Sequence, residues 1–466
     1  MRAVCGVAAL WIPLAACTVQ GPEPAPPAGG RGPAEASPNV LLVVIDTLGA
    51  DHVDGLPPGA RATPEIDRLA AGGVAFQRAY STAPWTQPAV ASLMTSKMPS
   101  SHGVLGLMDS VPADQRTLPE HFRAHGYRTA AVVSHILVGR RFGWGKGFEA
   151  FDESPVGDHG SITSDKVSDA AIRELTRLAR ERFFLFVHYF DPHYVYNHHP
   201  AFDRTSGYKG KLRPAMDIWA LLDSRPRLRA EDERYLLGLY REEAAFTDAQ
   251  LGRVLAALRT LGIEGNTLVV VTADHGEEFN RHGWIGHTKN LYDDVLRVPL
   301  VLSFPGRLAA RRIEAPVSLL DVAPTLLDLA GVAGFPGGFE GVSLADCAAG
   351  GPCPGREREL LAEVSFGMQP GDPPRFAEKV AFKTALRVGD RKLIHDLIAG
   401  RFELYDLAAD PLELSNLAGA GRGEEPKLRA RLLAWEGARR PPRASGDTVR
   451  PGPEDIERLR ALGYVR

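Results

Sequence analysis

Long runs of one charge are missing from this chain of 466 residues, and its formal net charge is only -3. Without a basic stripe or patch it has no electrostatic footprint for a polyanion, so nucleic acid is excluded as a partner. Also missing is an apolar stretch long enough to cross a bilayer. The first residues, MRAVCGVAALWIPLAAC, give Arg2 and then a short apolar segment, which is how an export signal reads. Cysteine is scarce, with four in the chain. Cys347 and Cys353 have no histidine nearby to complete a metal site with their thiolates; in an exported protein they are expected to pair, the alternative being two free thiols. What remains is an ordinary globular composition, 44% hydrophobic, in a chain long enough for one large α/β domain and a smaller one.

The end of the leader, Leu14-Ala15-Ala16-Cys17, resembles the lipobox of bacterial lipoproteins, whose cysteine is acylated and becomes the mature N-terminus; a plain cleaved signal is the alternative. Thr18 rather than aspartate follows, which by that analogy places the protein at the outer membrane facing the periplasm. Acyl chains, burying methylenes at ~0.8 kcal/mol apiece, would hold it on the membrane without a spanning helix. Residues 18–38 are rich in Pro, Gly and Ala and cannot pack a core, so they read as a tether.

From Asn39 the pattern changes to NVLLVVID, a continuous apolar run of the kind that fills a strand buried on both faces and leaves Asp46 at its C-terminal end. RTAAVVS from Arg128, FFLFVHYF from Phe183, TLVVVTAD from Thr267 and VPLVLSFP from Val298 are further strand candidates. Helical patterns alternate with them, which predicts an α/β fold with a mostly parallel sheet. The Gly- and Pro-dense stretch from Gly334 to Arg358 precedes short strands and hairpin signals. The expected organisation is therefore a signal over 1–17, the tether over 18–38, a catalytic domain over 39–345 and a small C-terminal domain over 346–466.

Open α/β sheets gather ligand-binding groups at the carboxyl ends of their strands. Four segments supply them: VVIDTLGADH around Asp46, APWTQPAVASLMTS around Thr86, HYFDPHYVY around His193, and TADHGEEFNRHGWIGHTKNLYDDVLRVP around Asp274 and His275. Asp46, Asp274 and His275 offer two hard oxygen ligands and an imidazole, a mixture suited to zinc or manganese. Thr86 sits beside a helix start, where anions are favoured. Taken singly, each residue has a bland reading: a strand-end cap for Asp46, a helix N-cap for Thr86, a solvent-facing or aromatic-packed ring for His188, His198 and His199.

Taken in order, a strand ending in Asp, a WTxP segment, DHGEE and GHxxxLYxxxLRVP resemble the sulfatase family of the alkaline phosphatase superfamily. The likeness continues through KLIHD, ELYDLAADPLELSNLA and the closing LRALGYV. It implies an alkaline-phosphatase-like fold: a large mixed, mostly parallel sheet with helices on both faces, and a small C-terminal α+β domain with an antiparallel sheet. It implies one divalent metal ion held by Asp46, Thr86, Asp274 and His275, zinc or manganese before calcium or magnesium. Catalytic roles fall to Thr86 as nucleophile, His193 as proton donor to the leaving group, and His287 and Lys289 as contacts for the transferred group; Glu277 and His282 would orient these. The substrate expected is a small sulfate or phosphate ester, on a glycan or a lipid.

The sequence also departs from that family. Its best-known pattern is CxPSRxxLLTG, whose Cys or Ser becomes formylglycine. Threonine cannot take that modification, and Ala89 and Val90 stand where the pattern has Ser and Arg. The lysine and histidine of the GKWH motif are not evident in VVSHILVG. Thr86 instead resembles the nucleophile of phosphoryl-transferring relatives. Hydrolysis of a sulfate, phosphate or phosphonate ester is therefore the leading expectation, with an envelope phosphotransferase or a non-catalytic envelope-binding protein as its rivals.

Overall fold

The computed structural model describes residues 37–53, 62–157, 161–332, 338–368, 374–419, 423–439, 448–450 and 452–461. The leader, Cys17, most of the tether and the final GYVR lie outside them.

Eleven strands precede the C-terminal region: β1 (Asn39–Ile45), β2 (Val74–Tyr80), β3 (Arg128–Val133), β4 (Ala150–Asp152), β5 (Phe183–Tyr189), β6 (Thr267–Thr272), β7 (Glu278–Phe279), β8 (Ile285–Gly286), β9 (Arg297–Ser303), β10 (Arg311–Ile313) and β11 (Val317–Ser318). Among the described residues the large sheet runs β10-β2-β9-β6-β1-β5-β3-β4, with β11 on β2, while β7 and β8 form a separate ribbon. Every residue of β1, β5 and β6 is buried. That explains their unbroken apolar sequences, because a central strand covered on both faces has no polar side to show. The apolar run from Val298 forms β9, which is antiparallel to both β6 and β2. The sheet is therefore mixed but mostly parallel. The strand β2, VAFQRAY, went unrecognised in the sequence because Gln77 and Arg78 interrupt its apolar pattern at a register shift.

Registers place the site. Val44 pairs with Thr272 across β1 and β6, so Asp46 and Asp274, each two residues further on, leave the sheet side by side. The helix Thr86–Thr95 is buried along its whole length. The helix Ala230–Thr260 pins the loop after β1, since the Tyr240 hydroxyl donates to the Thr47 carbonyl at 2.8 Å and accepts from the Gly49 N–H at 3.1 Å.

Beyond the disulfide Cys347–Cys353, β12 (Glu359–Phe366), β13 (Ala381–Val388), β14 (Arg391–Asp396) and β15 (Arg401–Asp406) form an antiparallel sheet. Leu386, Leu393, Leu428 and Leu432 make its own small core against the helix Glu425–Ala438. The two sheets belong to one compact unit, residues 38–466, joined by polar contacts such as Arg78 to Asp390 at 2.6 Å and Tyr292 to Glu403 at 2.7 Å. Among the described residues, no helix is long and apolar enough to cross a membrane.

Candidate active site

Asp46, Asp274 and His275 offer ligand atoms that all lie within 4.8 Å of one another, and all three residues are buried. Thr86 Oγ1 lies 3.5 Å from Asp46 Oδ2 and 3.4 Å from His275 Nε2. Thr86 is the first residue of its helix and Trp85 occupies the N-cap, with no side-chain capping bond. The threonine is thus not the N-cap, and its hydroxyl meets Asp46 and His275.

The orientation of the imidazole follows from its neighbour. His275 Nδ1 lies 2.9 Å from the Gly276 carbonyl, an acceptor only, so Nδ1 carries the proton and Nε2 presents its lone pair to Asp46 Oδ1 and Asp274 Oδ2 at 3.5 and 3.6 Å. Gly276 is required by a close approach. A Cβ there would sit 2.2 Å from the Asp294 carbonyl oxygen and 3.3 Å from the Gly49 Cα.

These residues fit a divalent cation. Asp46 Oδ1 and Asp274 Oδ2 are buried and accept no hydrogen bond, which is costly for a carboxylate oxygen without a counter-charge. Burial, then repulsion from Asp274 and Glu277, pushes the Asp46 carboxyl well above the usual carboxylate range. A cation between the two carboxylates would reverse both effects, and two carboxylates, an imidazole and a hydroxyl make a suitable donor set.

Around this cluster stand other histidines. His287 Nδ1 is 2.9 Å from Glu277 Oε1, so Glu277 orients His287 as the sequence suggested. The His287 ring lies 4.5 Å from that of His275 and 4.7 Å from that of His193. Burial, followed by the charges of His275, His193 and Lys379, drives His287 well below its ordinary range, so its ring is neutral. His193 places Nδ1 2.5 Å from the Tyr194 carbonyl. His282 packs elsewhere: it stacks on Tyr292 at 3.7 Å and its Nε2 meets the Leu412 carbonyl at 3.0 Å.

Lys289 rests its ammonium 4.5 Å from the Trp284 ring centroid and donates to the Glu378 carbonyl. The lysine whose charge reaches His287 and Glu277 is instead Lys379, which is buried. Sequence reasoning passed over it because it follows a segment with no recognisable pattern. His135, in the VVSHILVG segment, was also missed. Its Nδ1 accepts from the Leu137 N–H at 2.9 Å, which puts the proton on Nε2, 3.9 Å from Asp46 Oδ2. The signal available was its position just beyond the end of β3, whose last residue pairs with His188.

His188 is fully buried, and neither ring nitrogen has a hydrogen-bond partner; burial lowers it to about 4. His198 is solvent-facing while its ring meets Glu242 at 2.7 Å, and His199 is buried and aromatic-packed, stacking on Phe246 with its Nε2 3.0 Å from Glu243. His102, for which the sequence suggested no role, holds the helix Thr86–Thr95. Its Nδ1 accepts from the Val104 N–H at 3.1 Å, and its Nε2 lies 3.2 Å from the Pro88 carbonyl.

The sulfatase family model matches residues 38–332, and the model for the C-terminal region of N-sulphoglucosamine sulphohydrolase matches residues 280–434. The chain belongs to the sulfatase family and is an ester hydrolase of that family. It is 27% identical over 413 residues to an ulvan-active sulfatase of Formosa agariphila, covering 82% of this chain and 77% of that one. Its fold matches a structure solved with D-glucosamine-2-N,6-O-disulfate, with a TM-score of 0.68, 22% identity and coverage of 86% and 98%. It also matches a phosphonate monoester hydrolase from Silicibacter pomeroyi, with a TM-score of 0.72, 20% identity and coverage of 86% and 96%.

Proposed function

We propose that this protein hydrolyses sulfate or phosphoryl esters, phosphonates included, with unmodified Thr86 as nucleophile and one divalent cation, zinc or manganese, held by Asp46, Thr86, Asp274 and His275. The observation that carries this reading is the Thr86 hydroxyl set against Asp46 and His275, in a cluster where Asp46 Oδ1 and Asp274 Oδ2 are buried and accept no hydrogen bond. The cation, when bound, lowers the pKa of the threonine hydroxyl and offsets charge on the transferred group.

The protein's own groups do the rest. Thr86 Oγ1 loses its proton to solvent water and forms a bond to sulfur or phosphorus as the bond to the leaving oxygen breaks. The helix N-terminus behind Thr86 favours the anionic group under attack. Lys379 and the neutral His287 stand against the transferred oxygens. His193, entering the step as the imidazolium with its Nδ1–H held on the Tyr194 carbonyl, delivers the Nε2 proton to the departing alkoxide and is left neutral. Water then cleaves the threonyl ester and restores the hydroxyl.

A sulfated glycan is the substrate class supported by the ulvan-active relative and by the fold neighbour solved with a disulfated glucosamine. We place the protein at the envelope, tethered through acylated Cys17. The test compares the exported domain with Thr86→Ala on matched nitrophenyl sulfate, phosphodiester and phosphonate. Hydrolysis lost in the variant supports the threonine mechanism, and the preferred ester decides sulfate against phosphorus. Equal rates in both proteins would overturn it.

A further inference from the structure

Beyond His287 the wall of the site carries further cations, of which Arg225, Lys289 and Lys383 have no part in the chemistry above. Trp284 donates its indole N–H to the His287 carbonyl at 3.3 Å and carries two cations on its ring, Arg225 at 4.8 Å and Lys289 at 4.5 Å from the centroid. Lys379 lies 4.6 Å from the Trp219 ring and 6.0 Å from that of Tyr194, and Tyr194 stacks on His287 at 5.0 Å. Lys383 donates to Asn290 Oδ1 at 3.2 Å, and the charges of Lys383 and Arg225 both bear on Lys289. Separate stretches of chain thus bring four cations to one side of the site.

Two carboxylates also face this group. Glu378 lies 3.3 Å from Arg225 but is itself 59% exposed, and Asp396 pairs in register with Lys383 across β13 and β14. Cations outnumber them. Lys289 is held by a ring face and a backbone carbonyl, contacts that orient a cation without cancelling its charge. Like charges gathered in a half-buried wall repel one another, and an arriving anion relieves that repulsion.

We propose that Arg225, Lys289 and Lys383, next to Trp284, form a second anion subsite that binds a negatively charged group on the leaving alcohol. The preferred ester is then one on an acidic saccharide, bearing a carboxylate or a second sulfate, instead of one on a neutral alcohol. This rests on the hydrolase reading above and adds the class of leaving group.

The test measures kcat and KM for the full chain, for Arg225→Gln and for Lys289→Gln. The substrates are a sulfated disaccharide containing a uronic acid, the same compound with its carboxyl reduced to the alcohol, and matched monosulfated and disulfated monosaccharides. The native protein should prefer the anionic member of a pair by about tenfold, mainly through KM, as expected for a charge-assisted contact. Added salt should shrink that preference, and each substitution should bring the ratio towards one. Comparing the two pairs tells carboxylate from sulfate. A ratio near one in the native protein, or an equal loss on both members in the variants, would overturn the subsite. If no ester is hydrolysed, the hydrolase reading fails by itself. Calorimetric titration with the desulfated acidic and carboxyl-reduced disaccharides then decides the subsite: tighter acidic binding that Lys289→Gln removes supports it, and equal binding refutes it.

Discussion

Two clusters of buried charge stand a short way apart in this chain, and they are balanced in opposite ways. At the strand ends, Asp46, Asp274 and Glu277 crowd together, and Asp46 Oδ1 and Asp274 Oδ2 accept no hydrogen bond. In the link between the sheets, Asp293 is met by Arg387 and Lys392, each at 2.8 Å, and Lys392 also reaches Glu413 at 2.8 Å. Burial alone would raise Asp293, but the two cations hold it well below the usual carboxylate range, whereas Asp46 is pushed well above it. A buried carboxylate with its counter-charge in the chain is part of the scaffold. One without it is waiting for a charge from outside, and that difference separates site from scaffold here.

Four changes would sharpen or break this contrast. Thr86→Ala should lower kcat by ~10³-fold or more while leaving the thermal transition of the protein in place, since it removes the proposed attacking atom and little packing. A circular-dichroism melt beside the kinetics checks both halves. Asp293→Ala should cost about 3–5 kcal/mol of stability by leaving Arg387 buried without its carboxylate and Lys392 with Glu413 alone, read from urea unfolding. A loss below about 1 kcal/mol would mean the link is solvated.

Gly276→Ala should cost about 1–3 kcal/mol, the range for forcing atoms into a packed site, because the new Cβ meets the Asp294 carbonyl. It should also lower metal retention, measured by elemental analysis, as His275 shifts. The smallest effect is the most telling. In protein stripped of metal, Asp46→Asn should raise stability by about 1–2 kcal/mol, because it removes a repelling carboxylate at a site kept for function, while stoichiometric metal is no longer retained.

The two carboxylates also predict opposite responses to pH. Asp293 has a depressed value, so the stability it contributes is complete above the unfolded-state value near ~4 and is lost as pH falls through the folded one. Asp46, raised in metal-free protein, costs nothing below ~4, and its penalty grows as pH rises towards its folded value. Unfolding free energies of metal-free Asp46→Asn and Asp293→Asn, each set against the native protein across pH 3 to 8, should diverge in opposite directions. Parallel curves would show that the two clusters are balanced alike.

The sequence by itself determined the elements whose chemistry is local. The apolar runs ending at Ile45, Tyr189 and Thr272 could only be strands covered on both faces, and Asp46, Thr86, Asp274 and His275 stood at the ends and starts where such a fold gathers ligands. Glu277 was legible as a group that orients the site, but its pairing with His287 came with the fold. Tertiary structure alone decided the rest. It reversed β9 within a mostly parallel sheet, because strand direction depends on how the chain returns and not on composition. It brought His135 to Asp46 and Lys379 towards His287 from segments with no motif, and it turned Lys289 onto Trp284. A residue's type limits what it can do, but its protonation, counter-charge and neighbours are set by groups far away in sequence, through distances and desolvation that no local pattern encodes.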